Sequence, residues 1–341
     1  AYLRVRLEGP AANRQGLGAK ISIKYGDQIQ MEQLKLNRGY LGTVEPVAHF
    51  GLGNITQVEE VTVKWLDGSV STLANPALNS EVVVSHKTAT KDGIEAAKMQ
   101  PYFREMTSEA FSKPFVHQEN VFDDFKNQIL LPHRQSTNGP FISVADVNGD
   151  DLEDFYVGGA SGQPGQLYLQ DKSGKFSVRE TPVFLEDKMY EDMGSAFFDA
   201  DGDGDQDLYV VSGGFEFPEN SPMFQNRLYI NDGKGKFVKS ATPLPKTSSG
   251  SCVSASDIDG DGDLDLFVGG RVIPDKYPYP PKSFILINDK GVFTDKTADL
   301  APQFSTLGMV TSAIWSDFNA DGKADLILTG EWMPIKFFQN N

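Results

Sequence analysis

Apolar and polar residues alternate with a period of two in four stretches near the start of the chain: LRVRLEG, AKISIKYG, EEVTVKWLDGSV and EVVVSH. Such alternation buries one face and leaves the other in solvent, so it predicts half-buried strands. The Asp-Gly pair of LDGS predicts a hairpin turn. Beyond residue 140 the texture changes. FYVGGA, LYVVSGG, LFVGGR and LILTGE are short apolar runs closing on glycine, and they read as buried strands. QLYLQD, RLYIND, FILIND and IKFFQN follow as second strands, and NDGKGKFVK is the clearest turn into a third. FISVAD, SAFFD, CVSASD and SAIWSD precede the apolar runs and complete sets of four. The class is therefore all-β.

A nine-residue acidic loop separates each preceding strand from its apolar run. DVNGDDLED places Asp146, Asn148, Asp150 and Asp154 at positions 1, 3, 5 and 9. DADGDGDQD places Asp199, Asp201, Asp203 and Asp207 there. DIDGDGDLD places Asp257, Asp259, Asp261 and Asp265, and DFNADGKAD places Asp317, Asn319, Asp321 and Asp325. Carboxylates at that density repel one another, and a hard cation offsets the repulsion. Calcium takes about 6–8 oxygen ligands from carboxylates, carbonyls and water. No histidine or cysteine lies in the loops, so a transition metal is poorly served. Magnesium prefers fewer protein ligands and more water. The expectation is up to four calcium ions, one per loop. The first loop departs by carrying Asp151 where the others have glycine at position 6.

An EF-hand needs a bidentate glutamate at position 12 and flanking helices. Position 12 is Val157, Val210, Val268 or Leu328, each inside a strand-like run, so the EF-hand reading fails four times. The loop starts are 53, 58 and 60 residues apart. A four-stranded repeat of that length predicts a β-propeller blade.

These loops, each followed by an apolar run and glycines, resemble FG-GAP or VCBS-type repeats, as in the integrin alpha-chain propeller. The resemblance covers about residues 102–341, and it implies calcium in the aspartate-rich loops. YFREMT at 102–107 looks like the outer strand of a blade without a calcium loop. Upstream, NRQGLGAKISI, GYLGTVEPVAHFGLGN and VEEVTVKWLDG resemble the ASPIC/UnbV domain over roughly residues 1–85, which implies a small β-sandwich or barrel. NRQGLGAK lacks the pattern of a phosphate loop and reads as a turn between strands. HQENVFDDFKNQILLPH resembles the segment joining the two parts in bacterial members, with room for one short helix. The domains expected are 1–88, a linker with an outer strand at 89–140, and blades at 141–341. Four blades do not close a ring, and the chain opens inside a strand without methionine. The expectation is a piece of a longer protein, with the remaining blades as partners.

The 341 residues suffice for two or three domains with sizeable cores. The formal net charge of −16 disfavours nucleic acid, which demands a basic face. The four loops hold 18 acidic residues, so much of that charge is local. No stretch reaches the roughly 18 apolar residues of a membrane helix. The single cysteine, Cys252, forms no internal disulfide and reads as a small buried residue. His49, His86, His117 and His133 show no zinc-type spacing, and no G-x-S-x-G elbow occurs. Trp65 and Trp315 fall in strand-like runs and read as core.

No catalytic constellation emerges. The leading expectation is a non-catalytic, calcium-binding interaction module that is extracellular, periplasmic or on a cell surface, and that binds protein or glycan. The alternative is a carbohydrate-active propeller enzyme or lectin with structural calcium. Two long loops opposite the calcium, GFEFPENSPMFQN and RVIPDKYPYPPKS, offer Phe215, Phe217, Tyr277 and Tyr279 as partner contacts, with Trp332 in the corresponding GEWMP.

Overall fold

Alternation near the start of the chain does produce two facing sheets. The computed structural model describes residues 1–91 and 101–341, and contacts divide it into two units, Ala1–Arg104 and Glu105–Asn341. In unit one, β1 (Tyr2–Glu8), β2 (Lys20–Tyr25), β3 (Gln28–Gln33), a minor hairpin of β4 (Asn37–Arg38) and β5 (Gly42–Thr43), β6 (Val47–Gly51), β7 (Glu60–Lys64), β8 (Val70–Ala74) and β9 (Ser80–Ser85) follow in order. β1 pairs antiparallel with β6 and parallel with β9, while β2 sits between β3 and β7, and β8 closes the second sheet beside β7. Every second residue of β1, β2 and β7 is buried: Leu3, Val5 and Leu7; Ile21 and Ile23; Val61 and Val63. They form one core with Trp65 and Phe50, making a small β-sandwich.

Unit two contains four antiparallel sheets in series. The first is β10 (Ile142–Ala145), β11 (Asp154–Val157), β12 (Gln166–Gln170) and β13 (Phe176–Arg179). The second is β14 (Asp192–Phe198), β15 (Asp207–Ser212), β16 (Arg227–Ile230) and β17 (Val238–Lys239). The third is β18 (Gly250–Ser256), β19 (Asp265–Gly270), β20 (Phe284–Ile287) and β21 (Thr294–Asp295). The fourth is β22 (Met309–Ser316), β23 (Asp325–Glu331) and β24 (Lys336–Phe338). The first strands adjoin in order, β10 against β14, β14 against β18 and β18 against β22. Each acidic loop is thus the first hairpin of its sheet. This is a β-propeller-like arrangement of three four-stranded blades and a fourth with three strands.

The apolar runs are continuous because each second strand is buried on both faces. Leu208 and Val210 of β15 pack toward the first blade with Tyr156, Leu167 and Phe237. Tyr209 and Val211 of the same strand pack toward the third with Leu266 and Val268. Phe267 of β19 turns the other way, onto Phe304, Leu326 and Leu328. The glycines that close these runs mark close approaches: a Cβ on Gly269 would stand 2.8 Å from Cys252 Sγ and 3.0 Å from Val310 Cγ1.

One expectation changes. Residues 102–107 form no outer strand; only bends and a short helix, Thr107–Ala110, lie there. The segment that follows carries a single 3-10 turn at Asp124–Lys126 and lies against the loops of the second and third blades. Leu131 packs with Phe215 and Val272, and Gln128 exchanges two 3.1 Å hydrogen bonds with the backbone of Tyr277.

Candidate metal centres

All four acidic loops adopt one conformation, and sequence chemistry sets it. Positions 4 and 6 take left-handed backbone: Gly202 and Gly204 (φ 81° and 93°), Gly260 and Gly262 (81° and 99°). In the first loop Asp151 adopts φ 65° at position 6, and in the fourth Ala320 adopts 61° at position 4. These residues pay a steric cost that glycine avoids, so the first loop keeps the shared geometry despite its deviant residue.

Each acidic position has its own task. The position-1 carboxylates gather backbone N–H donors: Asp199 accepts from Gly202 (2.8 Å) and Gly204 (3.0 Å), Asp257 from Gly260 and Gly262, and Asp317 from Asp321 and Gly322. Position 5 accepts from the N–H of position 7 in every loop, as in Asp205 to Asp203, and position 3 accepts from the N–H of position 5 in all but the first, as in Asp203 to Asp201. The position-9 carboxylates are fully buried at the start of the second strand. One oxygen accepts from the N–H of position 2 and the other from a residue at or just beyond the end of the blade's third strand. Asp207 takes Ala200 (3.0 Å) and Asn231 (2.8 Å); Asp265 takes Ile258 (2.9 Å) and Asn288 (2.8 Å). Asp154 and Asp325 repeat the pattern with Gln170 and Asn340.

The residues at those strand ends were not anticipated. Asn231 Nδ2 donates to the Val147 carbonyl, Asn288 Nδ2 to Ala200 and Asn340 Nδ2 to Ile258, all within 2.8–2.9 Å. Each asparagine thereby ties its own blade to position 2 of the preceding blade's loop. The only sequence signal was the asparagine recurring in RLYIND, FILIND and FFQN.

Carboxylate oxygens of Asp199, Asp201 and Asp203 lie within 4.8 Å of one another, as do those of Asp257, Asp259 and Asp265. In the first and fourth loops an amide, Asn148 or Asn319, stands at position 3. Burial and then the charges of Asp203, Asp201 and Asp199 push Asp205 up to about 6. Burial, against two N–H donors, pushes Asp207 up to about 7. Asp205 Oδ1 and Asn148 Oδ1 are buried without a protein partner. Oxygen-only donors, crowded charge and unpartnered buried oxygens fit a hard divalent cation such as calcium.

The aromatic candidates separate. Tyr279 and Trp332 are exposed, at 68% and 71%. Phe217 and Tyr277 are half-buried. Phe215 is buried against Leu131 and Val272, so it presents nothing to a partner; the segment before the first blade covers it. Trp332 Nε1 donates to the Tyr277 hydroxyl (2.7 Å), which in turn bonds Glu331.

His86, Asp67 and Ser69 meet in unit one, but both contacts fall on one ring nitrogen, Nε2, at 3.1 Å and 3.3 Å. A proton relay uses the two ring nitrogens separately. Burial pushes the Cys252 thiol up to about 11, which keeps it protonated.

Blades of this kind, each with an aspartate loop in its first hairpin, define the molecule as a β-propeller-like protein. Residues 9–91 match the ASPIC and UnbV family, and residues 146–210 and 218–268 match the FG-GAP-like repeat. The chain therefore carries an ASPIC/UnbV domain followed by FG-GAP-like repeats. No curated protein matches it. Among solved structures, an Agrocybe aegerita lectin specific for non-reducing terminal N-acetylglucosamine aligns at 15% identity and TM-score 0.41, over 60% of this chain and 50% of that one. The Dos1 propeller aligns at 10% identity and TM-score 0.34, over 84% and 56%. The V. cholerae biofilm matrix protein Bap1 aligns at 16% and 0.27, over 60% and 31%. The chain thus spans about half the length of the first two and a third of the last.

Proposed function

We propose that this chain is a calcium-stabilised, non-catalytic interaction module that works outside the cytosol and binds a protein or glycan partner. The observation that carries the reading is the fourfold recurrence of one oxygen-only loop, with the same backbone turn and the same division of labour among its carboxylates. Asp199, Asp201 and Asp203 would hold an ion in the second loop, and Asp257, Asp259 and Asp265 in the third. Asp146, Asn148, Asp150 and Asp154, and Asp317, Asn319, Asp321 and Asp325, would do so in the others. Calcium would cancel the repulsion and hold each hairpin rigid.

Extracellular calcium modules bind with dissociation constants of roughly 10⁻⁴–10⁻³ M, so such loops fill at millimolar calcium and empty in the cytosol. Among the described residues no helix is long and apolar enough to cross a membrane. On the side opposite the loops, Tyr279 and Trp332 offer exposed aromatic surface for the partner. Isothermal titration of the chelated protein with calcium tests the reading directly. Heat from sites that vanish in Asp201→Asn with Asp259→Asn supports it, and the absence of calcium binding at millimolar concentration removes it. A glycan array run beside a polysaccharide-cleavage screen, with Tyr279→Ala and Trp332→Ala alongside, tests the partner side.

A further inference from the structure

The hydrogen bonds of the acidic loops continue from blade to blade. Position 2 of each of the first three loops is held on both sides. Its N–H donates to the position-9 carboxylate of its own loop: Val147 to Asp154 (3.2 Å), Ala200 to Asp207 (3.0 Å) and Ile258 to Asp265 (2.9 Å). Its carbonyl accepts from an asparagine of the following blade: Asn231 for Val147, Asn288 for Ala200 and Asn340 for Ile258. The backbone N–H of each asparagine donates in turn to the position-9 carboxylate of its own blade, at 2.8 Å in all three cases. A continuous line of hydrogen-bonded residues therefore runs from Asp154 through Asp207 and Asp265 to Asp325.

In the second loop, position 2 is Ala200, between Asp199 and Asp201. Its N–H belongs to the peptide that follows Asp199, and its carbonyl to the peptide that precedes Asp201. Each peptide is planar, so holding both groups fixes where the two acidic side chains leave the backbone. Asn288 is itself oriented: its Oδ1 accepts from Gly291 N–H (2.9 Å), which leaves Nδ2 to Ala200. Ala200 and Asn288 are both buried, so water does not replace this donor if the side chain is removed.

Without metal, the carboxylates of a loop repel one another and favour a looser hairpin. The asparagine and an ion favour the same closed backbone. Two interactions that favour one conformation strengthen each other, by the same factor in both directions. We infer that Asn231, Asn288 and Asn340 are positioning residues for the metal sites of the blades that precede them, so that each ion secures a boundary between blades as well as its own hairpin. This rests on the calcium reading. It adds that a loop's affinity is set by a residue 82 to 88 positions further along the chain.

The test uses the full chain with position 3 kept in one loop at a time. Asn148→Ala, Asp259→Ala and Asn319→Ala together leave the second loop; Asn148→Ala, Asp201→Ala and Asn319→Ala leave the third. Isothermal titration with calcium gives the affinity of each. Asn288→Ala should weaken the second loop by at least about tenfold, the smaller end of what a partner behind the ligands contributes. It should leave the third loop unchanged, because alanine keeps the backbone N–H that serves Asp265. Asn340→Ala should do the reverse, weakening the third loop and sparing the second, and it carries the test if Asn288→Ala fails to fold. A general loss of stability would weaken both loops alike and would not produce this crossed pattern. The inference is overturned if either asparagine variant leaves the preceding loop at its parent affinity, or if each weakens both loops equally. If the unsubstituted protein binds no calcium at millimolar concentration, the calcium reading falls and this inference falls with it.

Discussion

Asp67 and Asp207 both belong to tight connections between strands, and the two units treat them in opposite ways. In the sandwich, Asp67 lies at the surface and accepts from the Ser69 hydroxyl (2.6 Å) and N–H (3.0 Å), with His86 at 3.1 Å. The Ser69 hydrogen bonds, then that of His86, hold its carboxyl down at about 2. In the propeller unit, Asp207 is buried; its two N–H donors do not offset burial, and Asp201 and Asp205 add repulsion. A turn carboxylate answered by nearby donors is self-sufficient. A crowd of carboxylates whose donors are already shared needs protons or a cation. The difference lies in how many carboxylates each turn must satisfy.

The strongest way to break this comparison is to remove calcium. At millimolar calcium and dissociation constants of roughly 10⁻⁴–10⁻³ M, each site stabilises by about 0.4–1.4 kcal/mol, so four give roughly 2–6 kcal/mol. Chelation should lower the melting transition of the propeller unit and leave the sandwich unmoved. Variants keeping only Trp65 or only Trp315 report the two units separately by fluorescence. A propeller transition that ignores chelator would erase the contrast.

The next test divides position 9 from position 3. Asp265→Ala strands the buried N–H groups of Ile258 and Asn288, at about 1–3 kcal/mol each. It should destabilise by roughly 2–5 kcal/mol even in chelator, and by more in calcium, where the site is lost as well. Asp259→Ala should cost only about 0.4–1.4 kcal/mol, and only in calcium. Denaturant titrations in both conditions measure the four values; equal behaviour of the two variants would show that the structural clip assigned to position 9 is not real.

The smallest effect concerns pH. Asp207 has its pKa raised to about 7, so without metal it favours the folded state below the unfolded value of about 3.9, and that contribution is lost as pH rises through 7. Asp67 has its pKa lowered to about 2, so its contribution is present above about 3.9 and lost as pH falls through 2. In chelator, the Trp315 signal should melt at lower temperature near about pH 7.5 than near about pH 5, and calcium should flatten the difference. The Trp65 signal should weaken only at the acid end. A metal-free propeller unit that gains stability between about pH 5 and 7.5 would reverse the sign assigned to Asp207.

Much of this was legible in the chain alone. The period-two stretches, the Asp-Gly turn and the 53-, 58- and 60-residue spacing of the loops identify the sandwich and the blades, because each signal is contained within a few neighbouring residues. Loop conformation was legible for the same reason: the spacing of the acidic residues and the glycine positions are both local. YFREMT misled, since a short apolar and polar mixture is compatible with a strand but does not require one; no partner strand exists for it among the described residues.

What only the tertiary structure decided are contacts across long stretches of chain. Asn231, Asn288 and Asn340 reach back 84, 88 and 82 residues to the preceding loops. Phe215 looked like a surface aromatic until Leu131 was laid over it. Glu191, Glu216 and Glu119 share no motif, and the charges of the last two act on the first because the segment before the first blade lies along two blade ends. Sequence by itself determined the repeating unit and the acidic positions of its loops, because backbone propensity and alternation act over a few residues. Folding decided burial, and burial decides whether a carboxylate is an ordinary surface charge, a clip between strands or a group that requires a cation.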